Sequence, residues 1–110
     1  MDVRDYVHFC ITEGRLFVYG TLMRGEEAAF KLRSARFLGE VRTCPKYSLE
    51  TLGDDFEALA RGGTEAVPGE LYQVTFDKLR ELDDWEYSIY VRDYVYLEDG
   101  SVADAYLLRR

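Results

Sequence analysis

One glutamate of this sequence lies where a helical pattern otherwise places apolar side chains. On a helix with about 100° per residue, Phe76, Leu79 and Leu82 form an apolar stripe, and Glu86 projects from the middle of it. Burial raises the pKa of a carboxyl group because the charged form loses hydration. A glutamate whose pKa rises to roughly 6 or 7 can take up and release protons at neutral pH. We therefore predict that Glu86 is a catalytic acid/base.

Two alternatives to this interpretation stay open on the residues alone. If the helix ends one residue earlier or frays, Glu86 turns into solvent and has no catalytic role. Asp83, at the edge of the apolar stripe, is a second candidate acid, but its shorter side chain reaches less far. The opposite side of the helix is predicted to be solvated, with four charged side chains: Asp77, Arg80, Glu81 and Asp84.

Few other side chains in the sequence are candidates for metal, disulfide or phosphate chemistry. The histidines and cysteines are His8, Cys10 and Cys44, whereas a structural zinc site usually needs four such ligands. Two cysteines far apart in the chain do not indicate a disulfide framework. No P-loop glycine pattern is present to cradle a phosphate, although the many carboxylates leave magnesium binding open.

The composition is that of one small acidic domain. The 110 residues, 47% of them hydrophobic and 15% aromatic, are enough for a compact core. The formal net charge of −7 disfavours nucleic acid as a partner, and we expect the nine tyrosines to fill a core rather than to stack on bases. No run approaches the roughly 18 to 20 apolar residues of a membrane helix, and residues 1–5 lack the order of a signal peptide. We expect a soluble, cytoplasmic protein with no membrane partner.

The elements that must position Glu86 are several strands and two short helices. Thr75 is a suitable N-cap for the helix at residues 76–86, and an earlier helix is predicted at residues 26–34. Asp99-Gly100 between two alternating runs is typical of a β-hairpin. Without a regular βαβ alternation, this order predicts an α+β domain on a small, mostly antiparallel, barrel-like sheet. The predicted strands are residues 16–19, 36–43, 46–52, 56–60, 68–74, 89–97 and 102–108, after a short edge strand or lead-in at residues 1–14.

Two motifs in this order resemble those of the γ-glutamylcyclotransferase-like, or AIG2-like, family. Residues 16–22, Leu-Phe-Val-Tyr-Gly-Thr-Leu, are similar to the family's Tyr-Gly-Ser/Thr-Leu loop. Residues 82–86, Leu-Asp-Asp-Trp-Glu, followed by Tyr-Val-Arg at 90–92, are similar to its Leu-Asp-x-x-Glu and Tyr-x-Arg. Residues 37–39 and 68–72 match between them in kind and order. The similarity covers residues 15–108, so we interpret residues 15–110 as the domain and 1–14 as an extension.

The resemblance implies an enzyme that forms 5-oxoproline. The α-amine of a γ-glutamyl group attacks its own γ-carbonyl and expels the attached amine or amino acid. Glu86 would be the general acid/base, and no cofactor and no metal are required. Among relatives, the chain is closest in kind to the small γ-glutamylamine cyclotransferases, which implies a small-molecule γ-glutamyl substrate.

The resemblance also implies which residues bind the substrate. Tyr19, Gly20, Thr21 and Leu22 would line the glutamyl pocket, because glycine lets a ligand approach the main chain and the N–H groups that follow begin a turn. Tyr90 either donates a hydrogen bond to bound substrate or packs in the fold. The arginine two residues further on pairs with a carboxylate of the substrate or, as we prefer, of the fold.

One departure from the family pattern leaves the substrate open. Many relatives continue the first motif with a polar segment containing Pro-Asn, whereas residues 23–28 here are Met-Arg-Gly-Glu-Glu-Ala. The leaving group is therefore an amino acid, the side-chain amine of lysine or another amine, and the oligomeric state is also open. Two functions of other classes remain: a non-catalytic module that binds a small carboxylated ligand, and a purely structural domain in which Glu86 is exposed.

Overall fold

The computed structural model describes residues 13–20, 29–52, 56–86 and 88–109. In this part of the chain one α-helix packs on a seven-stranded sheet, and a short 3-10 helix spans Ala29–Leu32. The strands are β1 (Glu13–Val18), β2 (Arg36–Arg42), β3 (Tyr47–Leu52), β4 (Phe56–Arg61), β5 (Pro68–Thr75), β6 (Tyr90–Tyr96) and β7 (Val102–Leu108), and the helix is α1 (Phe76–Trp85).

The sheet is mostly antiparallel, as the sequence predicts. The strand order is β2-β5-β1-β7-β4-β3. β1 and β4 pair with β7 at different residues, Asp104 and Leu107, and β6 pairs along the whole of β7 on the opposite edge. Among the described strands, four of the six pairings are antiparallel, and the two parallel ones join β7 to β1 and to β4. The ladder of described strands is not closed into a complete barrel. The fold is therefore α+β, as expected, with an open sheet.

The core lies on both faces of this sheet. Because side chains alternate along a strand, Leu16 and Val18 of β1 pack in one cluster, and Phe17 packs in the other. The first cluster also contains Leu79 and Leu82 of α1. The helix therefore covers only one face, and its end lies over that face.

The helix begins and packs largely as its sequence predicts. The Thr75 hydroxyl accepts a hydrogen bond from the Lys78 N–H at 3.1 Å and so caps the first turn. Leu79 and Leu82 are fully buried, but Phe76 is 38% exposed, so the predicted apolar stripe is wrong at its first position. The face predicted to be solvated is exposed at all four positions: Asp77, Arg80, Glu81 and Asp84.

Several strand boundaries differ from the prediction by a few residues. β1 begins at Glu13, before the apolar run that predicted it, because its first residues pair with the end of β5. Of the helix predicted at residues 26–34, only the 3-10 turn and its flanks lie within the described part of the chain. The predicted hairpin is confirmed: the Leu97 N–H donates to the Ser101 carbonyl at 2.9 Å, and Gly100 has a φ of 86°.

One end of the sheet gathers the termini of four elements. The parallel register of Leu16 with Asp104 brings the carboxyl ends of β1 and β7 to the same end of the sheet. The antiparallel register of Tyr90 with Leu108 adds the start of β6, on the opposite side of β7. The carboxyl end of α1 leads directly into this region. The described residues of the first motif, 16–20, and the end of α1 therefore lie at the same end of the sheet.

Candidate active site

Glu86 caps the carboxyl end of α1. The helix ends at Trp85, and Glu86 has extended backbone angles, with φ of −68° and ψ of 150°. Its N–H still donates to the Leu82 carbonyl at 2.9 Å, so its position relative to the last turn is kept. The helix thus ends one residue earlier than predicted, yet the Glu86 side chain is half-buried rather than turned into solvent.

The environment of Glu86 makes its carboxyl group a proton donor and acceptor near neutral pH. Burial raises the pKa of Glu86 to about 7, since the charged form is partly removed from water. No described residue forms a hydrogen bond or an ion pair with this carboxyl group. A carboxyl group that is half-buried and has no partner in the described part of the chain is available to a ligand.

A cavity of about 270 Å³ opens beside Glu86. This volume lies just below the roughly 300 to 1,000 Å³ that is typical of small-ligand pockets, so the cavity has room only for a small ligand. Two carboxylates, two guanidinium groups and two phenols line it, from Asp83, Glu86, Tyr90, Val91, Arg92, Tyr106 and Arg109. Within the described residues no cluster of three or more histidine, cysteine, aspartate or glutamate side chains could hold a metal ion.

Asp83, the second candidate acid, is held by hydrogen bonds. Its Oδ1 accepts from Arg92 Nε at 2.9 Å and from the Tyr106 hydroxyl at 2.6 Å. Arg92 also lies 3.6 Å from a carboxylate oxygen of Asp104. Arg92 thus pairs with carboxylates of the fold, which is the preferred sequence interpretation. Of the two acids, Glu86 is the one without a partner among the described residues.

The described half of the predicted glutamyl loop is tied to the cavity by Tyr19. Its hydroxyl donates to the Tyr106 carbonyl and accepts from the Leu59 N–H at 2.9 Å. Burial, with the nearby charge of Glu86 contributing, raises the pKa of Tyr19 well above its usual value. Tyr19 and Gly20 are not among the residues that line the cavity.

Gly20 has a φ of 91°, a conformation that glycine adopts without strain. Apart from its chain neighbours, no described residue has an atom within 4 Å of the position that a Cβ would take there, so backbone conformation favours glycine at this position. The remaining predicted binding residues, Thr21 and Leu22, lie outside the described residues, as do His8 and Cys10.

Tyr90 lines the cavity with its hydroxyl already engaged. The phenol donates to the Glu57 carbonyl at 2.7 Å. Burial raises the pKa of Tyr90, and the charges of Glu86 and Glu57 add to this effect. Tyr90 therefore keeps its proton and forms a wall next to Glu86. Because the one phenol proton is donated to the Glu57 carbonyl, this geometry favours the packing role of Tyr90, and donation of a hydrogen bond to bound substrate stays a prediction.

Sequence reasoning missed two residues of the cavity, Tyr106 and Arg109. Tyr106 is one of nine tyrosines, and nothing in its strand pattern distinguishes it from a core residue. Arg109 follows β7 directly, and its place depends on hydrogen bonds to the chain at the start of β6. The alternation of β7 directs Tyr106 to the same face as Asp104 but does not mark it as a cavity residue, so neither residue has a local sequence signal.

No helix in the described part of the chain is long and apolar enough to cross a membrane.

Comparison with known proteins gives a consistent result. A family model described as Gamma-glutamyl cyclotransferase, AIG2-like, matches residues 16–110. A Vibrio cholerae protein provisionally named a gamma-glutamylcyclotransferase is 40% identical over 68 residues, which are 62% of this chain and 57% of that protein. The match thus spans little more than half the length of this relative.

Solved structures share the fold over most of the chain. A protein specific to uropathogenic E. coli is 30% identical, with a TM-score of 0.82 over 90% of this chain and 81% of that one. An AIG2-like protein from Mus musculus is 28% identical, with a TM-score of 0.73 over 90% of this chain and 78% of that one. Because the family model covers nearly the whole sequence and these folds agree, the chain belongs to the gamma-glutamyl cyclotransferase, AIG2-like family.

Proposed function

We propose that this protein is a γ-glutamylcyclotransferase that converts a γ-glutamyl-amine or γ-glutamyl-amino acid to 5-oxoproline and the free amine. The observation that carries the proposal is the Glu86 carboxyl group, half-buried beside a cavity of about 270 Å³, with a pKa raised to about 7. Membership of the family and the name of the Vibrio cholerae relative support the same reaction class.

In the proposed mechanism Glu86 moves two protons, in turn, from the α-nitrogen to the departing nitrogen. As a carboxylate it removes the first proton from the substrate's α-ammonium group, and the resulting amine attacks the γ-carbonyl carbon. The lactam C–N bond forms, Glu86 gives this proton to the departing nitrogen, and the original amide C–N bond breaks. Glu86 then takes the second proton from the lactam nitrogen and passes it to the released amine, which leaves as an ammonium ion and restores the carboxylate. Atoms balance without water. A group with a pKa near 7 suits both steps, because it gains and loses protons with similar ease at neutral pH.

The rest of the site would hold the substrate folded. Intramolecular attack gains much from pre-set orientation, since the amine and the carbonyl must meet in one conformation. The main chain of Tyr19, Gly20, Thr21 and Leu22 is proposed to bind the glutamyl part, with N–H groups directed at its oxygen atoms. The two hydrogen bonds of the Tyr19 hydroxyl would fix where this loop begins.

The experiment is an assay for released 5-oxoproline with a panel of γ-glutamyl dipeptides and γ-glutamyl-amines. We expect turnover of at least one compound, and a loss of about 10²- to 10⁴-fold in kcat/KM for Glu86→Gln. Glu81→Gln, on the exposed side of α1, is the matched control and should keep its activity. If no compound is turned over but one binds with micromolar affinity, the protein is a non-catalytic binding module. Full activity of Glu86→Gln would remove this residue from the mechanism.

A further inference from the structure

Arg109 supplies a positive charge at the cavity that no described carboxylate neutralises. The other guanidinium group there, that of Arg92, is paired with Asp83 and Asp104. Arg109 makes no ion pair with any residue that the structure describes, and both of its side-chain hydrogen bonds go to neutral carbonyl groups. A charge in a cavity that is not neutralised by the protein attracts a ligand of opposite charge.

The guanidinium group of Arg109 is held in place for this task. Its Nε donates to the Ser88 carbonyl at 2.9 Å, and Nη2 donates to the Tyr90 carbonyl at 3.1 Å. The Arg109 N–H also donates to the Ile89 carbonyl at 2.6 Å. These bonds use one edge of the guanidinium, so the other edge, formed by Nη1 and Nη2, keeps N–H groups for two parallel bonds to a carboxylate. The anchoring reduces the entropy lost when a ligand binds.

The position of Arg109 indicates which part of a substrate it meets. Tyr19 and Gly20 follow β1, on one edge of β7, whereas the carbonyl groups that hold Arg109 lie at the start of β6 and just before it, on the other edge. Glu86 must reach both the attacking amine and the departing nitrogen. With the glutamyl group on the β1 side, the substituent of the departing nitrogen extends toward the β6 side.

We propose that Arg109 determines specificity by binding a carboxylate on the leaving group. This inference rests on the proposed function, and it selects γ-glutamyl-amino acids with a free carboxylate over γ-glutamyl-amines without one. Arg109 is exposed at the cavity, so its pairing with a carboxylate adds affinity that a neutral analogue cannot gain, although water solvates the guanidinium group when no carboxylate is bound.

The test compares γ-glutamyl-alanine with γ-glutamyl-alaninamide, which differ only in the leaving group's carboxylate. Both kcat/KM and the dissociation constant, measured by calorimetry, are determined for wild type, Arg109→Gln, Arg109→Lys and the control Arg42→Gln. Arg42 pairs with Glu98 at a distant surface. Taking the ratio of the two compounds within each variant cancels any loss of folded protein.

We expect wild type and Arg42→Gln to prefer the carboxylate by about 5-fold, as for an ion pair that is exposed to solvent. The preference should vanish in Arg109→Gln and be partly kept in Arg109→Lys, mainly through KM. An equal loss for both compounds, or no preference in wild type, overturns the inference. Absence of turnover with a preference in binding that depends on Arg109 overturns the proposed function and leaves this inference standing. Absence of both overturns both.

Discussion

Tyr106 donates a hydrogen bond to Asp83, with 2.6 Å between the phenol oxygen and Oδ1, and so joins β7 to the last turn of α1. Arg92 of β6 donates to the same Oδ1 at 2.9 Å. Two neighbouring strands therefore hold the helix end that is followed by Glu86. We therefore expect the direction in which Glu86 enters the cavity to depend on this contact, although neither Asp83 nor Tyr106 is proposed to exchange protons with substrate.

Removal of the phenol should loosen this attachment. For Tyr106→Phe we expect the free energy of unfolding to fall by about 1 to 2 kcal/mol, since one hydrogen bond to a charged group is lost while Arg92 still pairs with Asp83. We expect kcat to fall more than KM rises, because Glu86 is displaced. Urea denaturation and the 5-oxoproline assay measure the two effects. Tyr96→Phe, on an exposed side chain of β6, is the control. Unchanged kcat would contradict the positioning role.

The pH dependence of turnover should report the titration of Glu86. The pKa of this group is raised to about 7, and the proposed reaction begins with its charged form. Below that pH, kcat/KM should fall by about tenfold per pH unit, so that the value at pH 5 is on the order of 100-fold below the plateau. The measurement is kcat/KM between pH 5 and 9, with circular dichroism to verify folding. A flat profile between pH 5 and 8 would exclude Glu86 as the base.

The same group should make stability depend on pH with a definite sign. Its pKa rises from 4.5 to about 7 on folding, so between these values the folded protein holds a proton that the unfolded chain has released. The free energy of unfolding of wild type therefore falls as the pH rises through this window. Glutamine does not titrate, so the free energy of unfolding of Glu86→Gln does not fall in this way.

We expect Glu86→Gln to match wild type near pH 4.5 and to exceed it at pH 8 by on the order of 1 kcal/mol, a value reduced by partial solvation of the side chain. Thermal or urea denaturation across the range measures the difference. Glu81→Gln removes an equal charge from the exposed face of α1 and corrects for net charge. A constant difference at all pH values would contradict the burial of Glu86.

Local chemistry made much of the fold predictable. The Thr75 cap and the turn at Gly100 depend on neighbours within four residues, and both are confirmed. Helical spacing alone predicts that Phe76 faces the core. This residue remains partly exposed, lying over Gly14 of β1, where a Cβ would be 3.3 Å from the Phe76 ring. Because this contact joins the helix to β1, the spacing of residues within the helix cannot predict it.

The sequence predicts only those site residues that belong to a local pattern on a buried face. Glu86 follows Leu82 by four residues, and this spacing correctly directs its side chain toward the protein, although the helix ends at Trp85. Arg109 has no such pattern, since its place depends on carbonyl groups about twenty residues earlier in the chain. The parallel pairing of β1 with β7 is equally non-local, and it is this pairing that brings the two motifs to one end of the sheet.

Gly69 offers a test of how closely β5 must approach the strand that leads to the glutamyl loop. A Cβ at this position would lie 2.3 Å from the Val18 carbonyl oxygen and 2.6 Å from the Phe17 ring. The oxygen belongs to the main chain of β1 and moves only if the strand moves. For Gly69→Ala we therefore expect the free energy of unfolding to fall by about 1 to 3 kcal/mol.

Because Val18 immediately precedes Tyr19 and Gly20, the displacement of β1 should also weaken substrate binding in the proposed glutamyl pocket. We expect KM to rise for γ-glutamyl-alanine and γ-glutamyl-alaninamide alike, since both share the glutamyl part. Gly14→Ala is the matched control: its Cβ would meet only side-chain atoms, of Phe76 at 3.3 Å, Leu79 at 3.7 Å and Asp104 at 3.8 Å, and the Phe76 ring can shift. Denaturation curves and steady-state kinetics measure both effects. If Gly69→Ala is as stable and as active as Gly14→Ala, the contact between β5 and β1 does not position the loop.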